Sequence, residues 1–256
     1  MLRAAPWIAW YRLRGSKPRD YRGQWETYWS RARSGNGEND VLWDLDDDHE
    51  ISEALDRLEE HLDRSLPFLD LGCGNGRRAR FLAGRFERVV GVDVSAAAVE
   101  LARSQWADGD GLDFRVLDGT DREAVEQLAA EHGPMNIYMR GVFHVIHERD
   151  REAFITNLAR LLGDRGTLYQ IETDGQALRY FLAHPEKSPS GLPVLMHKVV
   201  SAGIVPHGFG ETDCRRWYQD RGWSVLHSGP GVLRTQHVGG EPGRVPAFVA
   251  IVRPPA

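Results

Sequence analysis

Cysteine is nearly missing from this chain: Cys73 and Cys214 are the only two among 256 residues. That is too few for a disulfide framework, and it points to a reducing compartment, the cytoplasm. Lysine is almost as scarce, with Lys17, Lys187 and Lys198 the only lysines among 32 basic residues. We read the arginine excess as the codon bias of a GC-rich genome. No apolar run approaches the length of a membrane span, and Leu2 to Tyr11 is too short and too rich in tryptophan for a signal peptide. Large net charge is also missing; at −5 the chain has no global field that would draw it to nucleic acid. Repeats and low-complexity tracts are absent, and the length suits one larger domain with a full core.

What charge there is lies unevenly. Residues 1–33 hold eight basic residues against Asp20 and Glu26, and residues 38–63 hold twelve acidic residues against Arg57. These two segments are expected to attract each other as solvated surfaces. Five of the eight tryptophans also fall early, at Trp7, Trp10, Trp25, Trp29 and Trp43. Trp25, Tyr28 and Trp29 share one helical face, and Ile51, Leu55, Leu58 and Leu62 mark a second helix. The first 64 residues therefore read as a helical cover on a domain spanning 65–256. The aromatic face either packs that cover in place or closes over a ligand, and Trp7 to Tyr11 could instead lie in a membrane interface.

The most informative stretch is Phe68-Leu-Asp-Leu-Gly-Cys-Gly-Asn-Gly76. An apolar run stopped by glycines reads as a buried parallel strand, and the glycines let backbone approach a ligand with no Cβ in the way. A helix pattern follows, then the apolar strand Val89 to Asp93, whose carboxylate lies twenty-one residues after Gly72. An acid at that distance reaches ribose hydroxyls in a βαβ nucleotide unit. A dinucleotide fingerprint would need a third glycine at position 77; Arg77 stands there and argues against a nicotinamide oxidoreductase.

Strands are expected at 66–71, 88–93, 112–117, 135–140 and 166–172, with helices at 77–86, 95–107, 121–131 and 148–162 between them. That alternation predicts a parallel, doubly wound α/β sheet. Residues 174–211, broken by prolines and glycines around possible helices at 175–183 and 192–202, read as an inserted lid. A helix at 213–221 and strands at 223–228 and 246–252 complete the domain.

Asp70-Leu-Gly-Cys-Gly-Asn-Gly76 together with Gly91-Val-Asp-Val-Ser95 resembles the first two motifs of the class I S-adenosylmethionine-dependent methyltransferases. The specific likeness covers about residues 66–172. It implies a Rossmann-like, mostly parallel seven-stranded sheet with helices on both faces and an antiparallel closing strand. It implies S-adenosyl-L-methionine as cofactor, held by Gly72, Cys73 and Gly74, with Asp70 accepting from its ammonium and Asp93 from its ribose. Val94 would pack on adenine, Asp118-Gly119 would meet the adenine amino group, and Arg140 would line the methyl-transfer site. Asp70 as a turn cap and Asp118 as a helix N-cap are the competing structural roles.

The resemblance also narrows the acceptor. The Asn-Pro-Pro-Tyr of adenine-amino methylation, the cysteine of cytosine-C5 enzymes and the paired glutamates of arginine methylation have no counterparts here. Arg140 occupies the position where metal-dependent catechol-type enzymes carry an Asp, so no metal is expected. Trp25 to Trp29 and Trp43-Asp44 resemble the start of thiopurine-type methyltransferases, which fixes no substrate.

The reading is a methyl transfer to a small molecule, at oxygen, in specialised or secondary metabolism, by a soluble protein that could form a homodimer. A cofactor-binding regulatory protein and a nucleic-acid methyltransferase are the alternatives. His144, just after the fourth strand, is the leading candidate base, since imidazole titrates in the physiological range. His147 and Glu172 follow it, Glu172 also as a polar contact for the acceptor. Trp29, Tyr180 and His207 are candidate substrate contacts. His184, His197 and His207 lack the compact spacing of a metal site.

Overall fold

A computed structural model of the chain describes residues 21–32, 41, 43–45, 47–106, 111–183, 199–204, 207–238 and 241–255. Its centre is one seven-stranded sheet in the order β3-β2-β1-β4-β5-β7-β6. The strands are β1 (Phe68–Leu71), β2 (Val89–Asp93), β3 (Leu112–Val116), β4 (Asn136–Arg140), β5 (Leu168–Thr173), β6 (Ser224–Val238) and β7 (Glu241–Arg253). β1 to β5 run parallel, while β7 is antiparallel to both β5 and β6. The helices are α1 (Tyr21–Arg31), α2 (His49–Leu58), α3 (Arg77–Ala83), α4 (Ala96–Trp106), α5 (Arg122–His132), α6 (Glu148–Leu162), α7 (Ala177–Ala183) and α8 (Glu211–Trp217).

Successive side chains of a strand point to opposite faces, so a strand covered on both sides carries apolar residues towards both. β1 shows this directly. Phe68 joins Ala79, Val99 and Tyr138 in the core on one face, while Leu69 and Leu71 join Val125, Ile137 and Leu158 in the core on the other. A third cluster joins Tyr28 and Trp29 of α1 to Ala98 of α4, Val41, Val199 and Ile204.

The parallel strands and their helices fall within a few residues of expectation. The C-terminal hairpin does not: β6 and β7 are 15 and 13 residues long, where short strands at 223–228 and 246–252 were expected. The helix expected at 213–221 is α8 followed by a single 3₁₀ turn at Gln219–Arg221. Part of the expected lid, including His184, His197 and the first part of the 192–202 helix, lies outside the described residues, as do Trp7 and Trp10. Among the described residues no helix is long and apolar enough to cross a membrane.

Six of the eight basic residues of the N-terminal stretch lie outside the described residues, and with them the attraction expected between that stretch and the acidic segment. Its acids reach arginines spread over the sheet domain: Asp44 pairs with Arg77 at 2.6 Å, Asp47 with Arg234 at 3.2 Å and Asp63 with Arg165 at 3.0 Å. Glu50 is enclosed and pairs with Arg140. The Asp44 and Glu50 contacts hold the segment near the carboxyl ends of β1 and β4, while the Asp63–Arg165 pair lies at the amino ends of β1 and β5.

Candidate functional site

The turn between β1 and α3 is built from three glycines that the left-handed region favours. Gly72, Gly74 and Gly76 have φ of +83°, +53° and +81°, values that a side chain would strain. The N–H groups of Gly72 and Cys73 both donate to the Val92 carbonyl, at 2.8 and 2.9 Å, so the turn is tied to the end of β2. Asp93 completes the tie: one carboxylate oxygen accepts from Gly74 N–H at 3.0 Å and the other from Ser95 N–H at 2.9 Å. Burial nevertheless pushes the Asp93 carboxyl up to about 6, against the pull of those N–H groups.

A cavity opens over this turn, at the carboxyl ends of the parallel strands where the strand order reverses, as open α/β sheets require. Its glycine-turn side is lined by Asp70, Gly72, Cys73, Gly74, Asp93 and Val94. Gly119 and Arg140 also line it, as do His144 and Trp29. The indole of Trp29 sits directly on the turn, and a Cβ at Gly74 would come within 2.6 Å of it. The aromatic face of α1 is thus packed onto the sheet domain at the turn itself. A second tryptophan touches the same loop, since Trp106 Nε1 donates to the Asn75 carbonyl at 2.8 Å.

Asp70 is 2 % exposed, and its Oδ2 has no hydrogen-bond partner. Burial raises its carboxyl to about 7; the nearby charge of Arg78 opposes the shift and that of Asp93 adds to it. An orphaned carboxylate oxygen beside a cradle free of Cβ atoms fits an ammonium-bearing nucleoside ligand. Raised above the unfolded value near 3.9, this carboxyl weakens the ligand-free fold progressively from about pH 4 to pH 7 and fully above that, on the order of 4 kcal/mol. Asp70→Asn is therefore expected to melt higher than wild type at pH 8, with the difference vanishing towards pH 4. Thermal melts across that range check it, and a variant that melts lower at pH 8 would refute the assignment.

Several expected site residues are placed elsewhere. Asp118 does not line the cavity, because Tyr21 Oη, Thr120 N–H and Thr120 Oγ1 donate to its Oδ1 and Arg22 pairs with it. Its Oδ1 fastens α1 to the sheet, and the N-cap of α5 is Asp121. Glu172 is fully enclosed. Its Oε1 accepts from Phe143 N–H at 2.8 Å and Val142 N–H at 3.2 Å, and its Oε2 from His144 Nδ1–H, so it has no face for an acceptor. His147 takes the N-cap position of α6, outside the cavity lining. Tyr180 packs on the hairpin, its hydroxyl accepting from Arg244 N–H at 3.0 Å. His207 has an exposed side chain, and its N–H donates to the His144 carbonyl at 3.0 Å.

The sequence reading missed Arg78, Tyr21 and Trp43 in the lining and Glu50 behind it. Glu50 accepts from Arg140, from Arg234 N–H at 2.6 Å and from Tyr138 Oη at 3.3 Å. Burial would raise its carboxyl, yet Arg140 and Arg78 hold it below the ordinary range. Its only sequence signal was a place in an acidic run, which does not distinguish a buried partner from a solvated face. Among the described residues no cluster of His, Cys, Asp and Glu is arranged to hold a metal.

Comparison with known proteins matches residues 68–166 to the methyltransferase domain family. A crystal structure of an S-adenosylmethionine-dependent methyltransferase from Anabaena variabilis is 32% identical, covers 92% of this chain and 96% of its own, and superposes with a TM-score of 0.83. The ubiquinone biosynthesis O-methyltransferase of Chromobacterium violaceum is 28% identical over 155 residues, which span 55% of this chain and 61% of that protein. A structure concerned with conversion of a disulfide bond into a thioacetal group during echinomycin biosynthesis shares 20% identity and covers 92% of this chain and 90% of its own, with a TM-score of 0.64; that likeness shows the fold alone.

Proposed function

Taking as premise that the chain belongs to the S-adenosylmethionine-dependent methyltransferases, we propose that it methylates a hydroxyl of a small organic acceptor of specialised metabolism, with His144 as the base. The observation that carries this reading is the His144–Glu172 pair at the cavity wall. His144 Nδ1–H donates to the buried Glu172, which leaves Nε2 as the basic nitrogen of a side chain that lines the cavity. A carboxylate behind an imidazole fixes the tautomer and stabilises the imidazolium once the proton arrives.

The cofactor, when bound, supplies an electrophilic methyl on a sulfonium that is already a good leaving group. The turn at 72–76, Asp70 and Asp93 would hold it, with Val94 and Gly119 beside its base. The protein then has two tasks. It aligns the acceptor oxygen with the methyl, which is worth about 7–11 kcal/mol when reacting groups are held in register. It also removes a proton, and His144 takes that proton from the hydroxyl as the oxygen attacks. Val145, Val199, Ile204 and Leu233 line the rest of the cavity and favour an apolar acceptor body. The O-methyltransferase relative supports oxygen as the receiving atom.

The test offers matched acceptors, a set of phenols and the corresponding anilines, with methyl-labelled cofactor. Labelled ethers are the expected products. Labelled amines without any ether would overturn oxygen as the target and remove the need for a base.

A further inference from the structure

β5 carries two polar side chains on a face that is otherwise core. Residues two apart on a strand share a face, so Gln170 and Glu172 follow Leu168 towards the cluster that holds Phe209, Trp217, Tyr218 and Trp223. Both are fully enclosed, and neither lines the cavity. An amide and a carboxylate in such a place cost free energy unless each finds its partners. They find them in a single file that leads to the base. Tyr218, at the end of α8, donates its hydroxyl to Gln170 Oε1. Gln170 Nε2 donates to Glu172 Oε1 at 3.4 Å, and Glu172 Oε2 accepts from His144 Nδ1–H.

The file has one consistent direction. A carboxylate only accepts, so the amide turns its NH₂ towards Glu172, and its oxygen then needs a donor. Tyr218 is that donor: burial, and after it the charge of Glu172, raises the phenol well above its ordinary range, so the hydroxyl keeps its proton. A reversed amide would set its oxygen against a carboxylate oxygen and deprive the phenolic O–H of its acceptor. The N–H groups of Val142 and Phe143 hold the carboxylate from the turn after β4, and Gln170 holds it from β5. We propose that Gln170 and Tyr218 are positioning residues for His144. The hydroxyl fixes the amide, the amide fixes the carboxylate, and the carboxylate fixes the ring with Nδ1 protonated and Nε2 bare. The inference rests on the base reading above and adds to it two residues that cannot touch the acceptor.

Nitrogen-15 NMR of labelled protein reads the ring directly and needs no acceptor; the His144 signals are those lost in His144→Ala. Wild type is expected to show one tautomer, Nδ1–H with a bare Nε2. Tyr218→Phe keeps the aromatic ring and removes only the hydroxyl, and it should mix the two tautomers, as should Gln170→Met. Either substitution suffices if the other does not fold. With S-adenosylmethionine and a phenol as acceptor, Tyr218→Phe should lower kcat about threefold to tenfold at unchanged KM for the cofactor, the range of one neutral hydrogen bond. In the His144→Ala background the same substitution should have no further effect. Wild-type ring signals in the variants would overturn the proposal and leave the base in place. An equal rate loss with and without His144 would make Tyr218 a support of the fold and overturn it too. A proton on Nε2 in wild type would instead bring down the base reading and the positioning role with it.

Discussion

Asp93→Ala is expected to weaken S-adenosylmethionine binding by about 2–4 kcal/mol, roughly 30- to 1,000-fold in affinity. Two losses combine in that figure. The ligand loses a charged acceptor for its ribose hydroxyls, and the glycine turn loses the carboxylate that holds Gly74 and Ser95 by their N–H groups. Asp93→Asn separates them, because an amide keeps the shape and one acceptor oxygen but not the charge. It should fall between wild type and alanine. Calorimetry on folded protein decides the matter, and wild-type affinity in the alanine variant would remove Asp93 from the site.

The second large effect belongs to the imidazole. His144→Ala should lower turnover by about 10²–10⁴ while cofactor affinity stays nearly intact, the range expected when a general base is removed. Glu172→Gln acts through His144 and should cost less, about tenfold to a hundredfold. If the acceptor were a carboxylate, the loss in His144→Ala would stay near tenfold. Activity within twofold of wild type would reject the base.

Much of the cofactor side was legible because its signals are local. A parallel strand covered on both faces is mostly apolar, so β1, β2, β4 and β5 are legible as short runs dominated by apolar residues at Phe68–Leu71, Val89–Asp93, Asn136–Arg140 and Leu168–Thr173, with polar residues such as Asp70, Asn136, Gln170 and Glu172 among them. Glycine at 72, 74 and 76 announces a turn that only glycine makes easily. The hairpin was illegible for the opposite reason. Gly229-Pro230-Gly231, Pro242 and Pro246 read as breaks, yet β6 is the edge strand and β7 is paired with β5 only from Ala247 onward. At such positions a missing N–H costs little. Register shifts between Val225 and His227 and between Thr235 and His237 further blur the two-residue alternation.

Partners in space were the other gap. Asp118 looked like an adenine contact and is held by Tyr21, Thr120 and Arg22, ninety-six or more residues apart from it in two of the three cases. Glu172 looked like a reacting group and is enclosed, paired with His144 and with the N–H groups of Val142 and Phe143. Arg78 follows Arg77 at the start of a helix, and only the fold shows that its side chain is buried. A motif fixes what lies along the chain; charge pairing across it is decided by which strand ends the topology brings together.

Trp29 rests on Gly74, and Trp106 holds the carbonyl of the next residue. Two indoles in contact with one loop amount to an optical label encoded in the chain. Their emission depends on the polarity and charge around the ring, so the arrival of a cationic nucleoside at the loop can be followed in real time by ultraviolet fluorescence. No attached dye is needed, and no acceptor has to be known.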